Sequence, residues 1–143
     1  MKINVLITGH KGFLGSCLWD HLKNNKNLRL HGNDSNLYSN KIDNKNKFQN
    51  LKIKDLKNID IVIHLAGVST NYDPKGNIYK RISNKVNFRD TILFAKKSKK
   101  AGVKKFIFAS STSVYGDKKN KLVSEKSKLS PTTTYGKSKS LAE

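Results

Sequence analysis

The sequence predicts an α/β fold in which a parallel sheet carries helices on both faces, a three-layer arrangement. Three observations point there. Short β-branched and aliphatic runs recur at residues 3–7, 61–67 and 105–110, and stretches of helical periodicity lie between them at 13–22 and 78–100. The first run also turns on glycines directly into the first helical stretch. Strands that alternate with helices imply parallel pairing with right-handed crossovers.

The first element is a strand carried by Ile3, Val5, Leu6 and Ile7, broken at Thr8 and Gly9. Gly9, Gly12 and Gly15 follow at three-residue spacing, and Phe13, Leu14, Cys17, Leu18 and Leu22 continue as the apolar face of a helix. A strand that turns on glycines into a helix brings backbone N–H groups and the positive helix end together. That corner suits a phosphate or pyrophosphate. Cys17, placed on the apolar face, reads as a small core residue.

Leu28 to His31 predicts a second strand ending at Gly32-Asn33-Asp34, and the Asn/Lys-rich stretch from Ser35 to Asn50 reads as loop. Residues 48–59 fit two patterns. Leu51, Ile53 and Asp55 alternate as in a strand, whereas Phe48, Leu51, Leu56 and Ile59 suit a helix face. The continuous apolar run from Ile61 to Gly67 predicts a central strand covered on both sides. After a loop to Asn77, residues 78–100 predict one long helix with Ile82, Val86, Arg89, Leu93 and Lys97 on one face and Ile92, Phe94 and Ala95 widening its apolar side. Lys105 to Ser110 predicts the next buried strand. In parallel sheets ligands sit beyond the C-terminal strand ends. The residues expected to converge there are Gly9 to Gly15, Asp34, Ala66-Gly67 and Ser110 to Gly116.

Bulk properties exclude several classes. A chain of 143 residues is one domain long and buries a real core. No run approaches the ~18 apolar residues that cross a bilayer, so the expectation is a soluble, cytoplasmic protein without membrane contact. A lone cysteine excludes an intramolecular disulfide and argues against a Cys-based zinc site; no metal is expected. The net charge of +19 raises the question of nucleic acid. The lysines are scattered, however, with clusters only at Lys96-Lys97, Lys99-Lys100, Lys104-Lys105 and Lys118-Lys119, and no nucleic-acid motif accompanies them.

At the far end, Tyr135 and Lys139 are four apart and share a face if residues 134–142 are helical. A tyrosine with its ordinary pKa of about 10 is a poor base near neutrality. An ammonium beside it stabilises the phenolate. Ser111, just after a strand, is placed to donate a hydrogen bond to a substrate oxygen.

The stretches ITGHKGFLG at 7–15, HGND at 31–34, DIVIHLAG at 60–67, VNF at 86–88, KFIFASSTSVYG at 105–116 and PTTTYGKSK at 131–139 follow one another in order over essentially the whole chain. Together they resemble the extended short-chain dehydrogenase/reductase family, in its NAD-dependent epimerase/dehydratase branch acting on nucleotide sugars. The resemblance implies a Rossmann-type fold, with 1–143 as the NAD-binding domain. It implies that Gly9, Gly12 and Gly15 cradle the pyrophosphate, with Phe13 and Leu14 contributing backbone and packing at the helix start. Asp34 would accept hydrogen bonds from the adenosine ribose, favouring NAD over NADP; Lys11 and His10 nearby soften that preference. Asp43 or Asp55 would contact adenine, and Leu65, Ala66 and Gly67 would wall the cofactor. Tyr135 would be the general acid/base in hydride removal from a sugar hydroxyl-bearing carbon. Lys139 would hold the nicotinamide ribose and keep Tyr135 ionised, and Ser111 would take the family's Ser/Thr position, with Thr112 the alternative. Tyr115, His64 and Asn87 read as structural.

Members of this family run to about twice the present length. The resemblance therefore implies an N-terminal portion, cut within the Tyr/Lys helix, that lacks the remaining strands and the substrate lobe and is inactive alone. The full-length protein would be a homodimer acting on a nucleotide sugar. Thr112-Ser113 stand where dehydratases carry acidic residues, which favours an epimerase or a reductase. A non-catalytic NAD(P)-binding module and an NADP-dependent sugar reductase are the competing readings; a binding module has no use for the Ser111, Tyr135 and Lys139 set.

Overall fold

The computed structural model describes residues 1–34, 47–69, 77–118 and 122–143. The described elements are β1 (Ile3–Thr8), α1 (Phe13–Leu22), β2 (Leu28–Asn33), α2 (Ile53–Leu56), β3 (Ile61–His64), α3 (Asn77–Ser83), α4 (Thr91–Ala101), β4 (Lys105–Phe108) and α5 (Thr134–Ala142). A π-helical stretch, Asn84–Asp90, joins α3 to α4, and 3-10 turns occupy Phe48–Asn50 and Thr112–Tyr115. The chain divides into two compact units, one of Met1–Ala66 with Leu93–Ala109, the other of Gly67–Ile92 with Ser110–Glu143.

The first unit holds a four-stranded, all-parallel sheet in the order β2-β1-β3-β4. The register pairs Thr8 with Asn33 and with His64, and His64 with Phe108. All four strands thus finish at one level, and Gly9, Asp34, Leu65 and Ala109 leave the sheet from the same end. This is the parallel, Rossmann-like arrangement that the strand–helix alternation predicts.

β1 is buried from Val5 to Thr8, as a central strand should be. The core beside it is aromatic. The His64 ring lies 4.6 Å from that of Phe48, 5.4 Å from Phe94, 5.8 Å from Phe106 and 6.0 Å from Phe108. Its Nδ1 pairs with Thr8 Oγ1 at 2.6 Å, so this fully buried imidazole is a satisfied core residue, as the sequence reading holds.

Several expectations are corrected. β3 ends at His64 and β4 at Phe108, short of the apolar runs that suggested them. β4 is not a buried strand: its residues alternate between exposed and half-buried, and Ile107 keeps 50% of its surface, because β4 is an edge of the described sheet. Residues 48–59 form neither a strand nor one helix. They make a 3-10 turn and a single α-turn, yet Phe48, Leu56 and Ile59 are all buried, the helix-face residues of the alternative reading. On α1, Phe13, Leu14 and Cys17 are exposed, so Cys17 is not a core residue and neither apolar side chain packs. Gly15 is the buried residue of that helix, whose close approach to the preceding loop leaves the larger side chains turned away.

The long helix is also read one residue out of register. Ile82 and Leu93, placed on the inner face by periodicity, are 42% and 56% exposed, while Ser83, Asn87, Thr91, Phe94 and Ser98 are buried. The inner face of this segment is mostly polar: Ser83 and Asn87 bond to groups outside it, whereas Thr91 and Ser98 return their hydroxyls to Val86 O and Phe94 O within it. Of the loops read at 35–50 and 68–77, residues 35–46, with Asp43, and 70–76 lie outside the described residues.

Candidate functional site

The glycine corner belongs to the first unit. Gly9 has φ +74°, a conformation costly for any residue with a Cβ. An added Cβ would also sit 2.8 Å from Ala66 N and 2.9 Å from Ala66 Cα, so the loop lies directly on the backbone that follows β3. A Cβ on Gly15 would overlap the Gly9 carbonyl outright and come within 2.7 Å of His10 Cα. At Gly12 it would lie 3.2 Å from the same carbonyl. All three glycines are therefore close-approach residues of one folded-back loop.

The loop's hydrogen bonds are made mostly to itself and to the end of β2. Gly9 N–H donates to Asn33 O at 2.8 Å, Gly12 N–H to Gly9 O at 3.0 Å, and Lys11 N–H to Asp34 Oδ2 at 2.7 Å. Gly12 is the N-cap of α1 and has no side-chain cap, and its carbonyl accepts from Ser16 N–H at 2.8 Å. The first-turn amides of Phe13, Leu14 and Gly15 have no partner within their own helix, where the helix end favours an anion. Phe13 and Leu14 serve the corner through backbone only. Two buried polar atoms at the corner, His10 Nδ1 and Asn33 Oδ1, have no hydrogen-bond partner among the described residues. The sequence reading missed the placement of His10: its ring lies over Gly32 and 5.2 Å from the Trp19 ring, and no periodicity signals that. A cradle that any Cβ would fill, an open helix end and a carboxylate at the end of β2 fit the pyrophosphate and ribose of a dinucleotide.

Leu65 N–H donates to Thr8 O at 3.1 Å, and Ala66 touches the glycine corner as described. Asp55, one of the two adenine candidates, has its Oδ2 accepting from Lys52 N–H at 2.9 Å and caps α2.

The second unit assembles the remaining candidates. Ser111 is the N-cap of the 3-10 turn Thr112–Tyr115, its Oγ accepting from Ser113 N–H at 3.2 Å. The cap fixes Oγ while the hydroxyl proton stays available to donate. Thr112 beside it is exposed. α5 begins with Thr133, whose Oγ1 accepts from Gly136 N–H at 3.0 Å. A Cβ on Gly136 would run into the Ser113 carbonyl, so this glycine lets α5 lie directly against the turn that carries Ser111. Neither the cap nor this approach was read from the sequence, although a Thr three residues before a Gly at a helix start carries the signal for the first.

Tyr135, half-buried, stands in the first turn of α5 and Lys139 one turn on, with Lys139 Nζ 5.8 Å from the centre of the Tyr135 ring. Lys139 is 3% exposed, and burial pushes its pKa from 10.5 down to about 8. Gly67 lies close to both Lys139 and Asn87: a Cβ there would approach Asn87 Oδ1 tightly, at 3.2 Å, and reach ordinary van der Waals contact with Lys139 Nζ, at 3.4 Å. Asn87, fully buried, clasps one peptide residue from both sides. Its Oδ1 accepts from Val68 N–H at 2.8 Å and its Nδ2 donates to Val68 O at 2.9 Å, with further bonds to Ser83 Oγ and Ser138 Oγ at 3.1 Å each. Ser138 Oγ in turn donates to Tyr135 O at 2.8 Å. Among the described residues no cluster of three metal-ligating side chains exists.

The pattern that defines the NAD dependent epimerase/dehydratase family matches residues 5–143. The chain belongs to that family. Relatives include an uncharacterised UDP-glucose epimerase of Bacillus subtilis, 30% identical over 99% of the chain and 50% of the relative. A UDP-glucose 4-epimerase of Oryza sativa subsp. japonica is also 30% identical, over 97% of the chain and 38% of the relative. Among solved structures, UDP-glucuronic acid 4-epimerase from Bacillus cereus, in complex with UDP-glucuronic acid and NAD, superposes with a TM-score of 0.81 at 27% identity. It is matched over 98% of this chain and 50% of its own length. UDP-N-acetylglucosamine 4-epimerase from Methanobrevibacter ruminantium M1, in complex with UDP-N-acetylmuramic acid, gives 0.79 at 27%, over 97% of this chain and 48% of its own. The chain thus spans about half, or less, of the length of these epimerase/dehydratase family members. No described helix is long and apolar enough to cross a membrane.

Proposed function

We propose that this chain carries the cofactor-binding and proton-transfer residues of an NAD-dependent nucleotide-sugar epimerase. The observation that supports it most is the second unit's grouping of Ser111, Tyr135 and a buried Lys139, a set that a purely binding protein has no use for. The glycine corner holds the pyrophosphate on the amides of Phe13, Leu14 and Gly15. Asp34 accepts from the adenosine ribose hydroxyls, and its negative charge favours NAD over a 2′-phosphorylated cofactor. Leu65, Ala66 and Gly67 wall the cofactor on the family's pattern.

Bound NAD supplies the hydride acceptor and, later, the hydride donor. The protein moves the proton. Tyr135 Oη takes it from the sugar hydroxyl as the carbon is oxidised and returns it on reduction. The Lys139 ammonium favours the phenolate that this requires. Ser111 Oγ–H donates to the same sugar oxygen, sharing its developing charge. The absence of an acidic side chain at Thr112 and Ser113 supports epimerisation over the loss of water.

The test is Tyr135→Phe in the protein at its natural length, assayed against UDP-, GDP- and dTDP-sugars. Turnover should fall by about a thousandfold or more, within the range of a lost acid/base group, with NAD binding retained. Unimpaired turnover with unchanged cofactor binding removes Tyr135 from the mechanism.

A further inference from the structure

We infer that Asp34 holds the glycine corner in its binding shape before any dinucleotide arrives, acting as a positioning residue as well as a ribose acceptor; the inference rests on the cofactor reading above. Three successive loop residues are each tied to the end of β2. Gly9 N–H bonds to Asn33 O, the His10 ring covers Gly32 so closely that a Cβ there would come within 2.6 Å of the imidazole, and Lys11 N–H bonds to Asp34 Oδ2. The first tie is backbone to backbone and the second is van der Waals contact. The third alone is made by a charged side chain, and an ionised acceptor roughly doubles the strength of a hydrogen bond.

This bond decides where an anion is received. With Gly9, Lys11 and Gly12 amides all engaged within the protein, the first turn of α1 offers the run of donors for a phosphate. If the Lys11 peptide were released, the loop between Gly9 and Gly12 would have fewer constraints to lose and more entropy to surrender on binding. A carboxylate has two oxygens and about four lone-pair sites. The bond to Lys11 therefore leaves Asp34 capacity for ribose hydroxyls. The two tasks share one side chain.

A carboxylate that served only to read the ribose and repel a 2′-phosphate would behave differently on removal: affinity for NADP should then rise as affinity for NAD falls. A carboxylate that also holds the loop gives another outcome. In Asp34→Ala the Lys11 amide loses its acceptor, and either cofactor meets a looser loop. Asp34→Asn keeps an oxygen able to accept from Lys11 and drops the charge.

The experiment compares the wild type, D34A and D34N at natural length. It measures amide hydrogen exchange of residues 9–12 without cofactor, and titrates NAD and NADP by calorimetry. The expected result is that D34A accelerates exchange at Lys11 about tenfold or more, the scale of one charge-assisted bond. D34A should also weaken NAD by at least a similar factor and NADP by less, because removing the charge relieves its repulsion of the 2′-phosphate. D34N should retain most of the protection and lose less NAD affinity than D34A. Unchanged exchange at Lys11 in D34A, or an equal loss of NAD affinity in D34A and D34N, overturns the inference. A wild type that binds no NAD defeats the cofactor reading instead, and the exchange comparison still decides the loop.

Discussion

The Lys139 ammonium lies 5.8 Å from the centre of the Tyr135 ring, and almost none of the Lys139 side chain reaches solvent. Burial lowers its pKa to about 8 from the ordinary 10.5. Below pH 8 the ammonium is charged in the folded and unfolded chain alike, and folding bears the full cost of its desolvation. Between pH 8 and 10.5 the unfolded chain holds a proton that the folded one has released, so stability climbs with pH. Above 10.5 the cost is gone. The shift corresponds to about 3 kcal/mol at neutral pH.

Lys139→Met should therefore stabilise the protein at pH 7 by up to about 3 kcal/mol, while removing the ammonium that supports Tyr135. The net charge of +19 also falls in alkali and relieves self-repulsion, raising stability in both proteins. The informative quantity is the difference between them. Urea midpoints measured from pH 7 to 11 should converge as pH rises through the 8–10.5 window. Parallel curves would show that Lys139 is not the source.

Two glycine substitutions separate contact from conformation. Gly102, with φ +88°, has nothing within 4 Å of an added methyl, so Gly102→Ala carries only the left-handed backbone cost of about 1 kcal/mol. Gly15 has no positive φ, but its added methyl overlaps the Gly9 carbonyl. Gly15→Ala should cost roughly 1–3 kcal/mol as an overpacked site. It should also weaken NAD binding beyond what lost stability explains, because the loop must move. G102A should leave binding unchanged. Equal effects of the two on NAD affinity, read by calorimetry, would contradict the proposed corner.

The parallel sheet, the glycine corner and the order of motifs were legible because each rests on a dense local signal. β1 is mostly β-branched and aliphatic, with Asn4 its one interruption before Thr8, and Gly9, Gly12 and Gly15 are spaced by the turn they make. The inner face from Ser83 to Ser98 was not legible. Its buried residues include three serines and threonines and one asparagine, which periodicity scores as solvent-facing, and the π-helical stretch Asn84–Asp90 changes the angular step between them. α1 misled for the opposite reason: Phe13, Leu14 and Cys17 are apolar and exposed, because Gly15 is the residue that meets the loop. The polar groups around Lys139 were half legible. Tyr135 and Lys139 follow from helical spacing, whereas the closeness of Gly67 to Lys139 Nζ and Asn87 Oδ1 shows only in three dimensions.

Asn87 is where that polar face is most exposed to mutation. Its amide satisfies both the N–H and the carbonyl of Val68 and also reaches Ser83 and Ser138, all in a fully buried position. Asn87→Ala removes every one of these bonds at once, while Ser83 Oγ still donates to Ser138 Oγ and Ser138 Oγ to Tyr135 O. The cost should be about 3 kcal/mol, near the upper range for a buried group left unsatisfied. Asn87→Asp keeps an acceptor for Val68 N–H but cannot donate to Val68 O and brings a buried charge, so it should be at least as damaging. The damage should be local as well as global: amide exchange at Val68 should quicken in both variants, relative to that of β1. Urea unfolding of N87A with a loss below about 0.5 kcal/mol, the scale of an ordinary surface change, would show that water replaces the clasp without penalty.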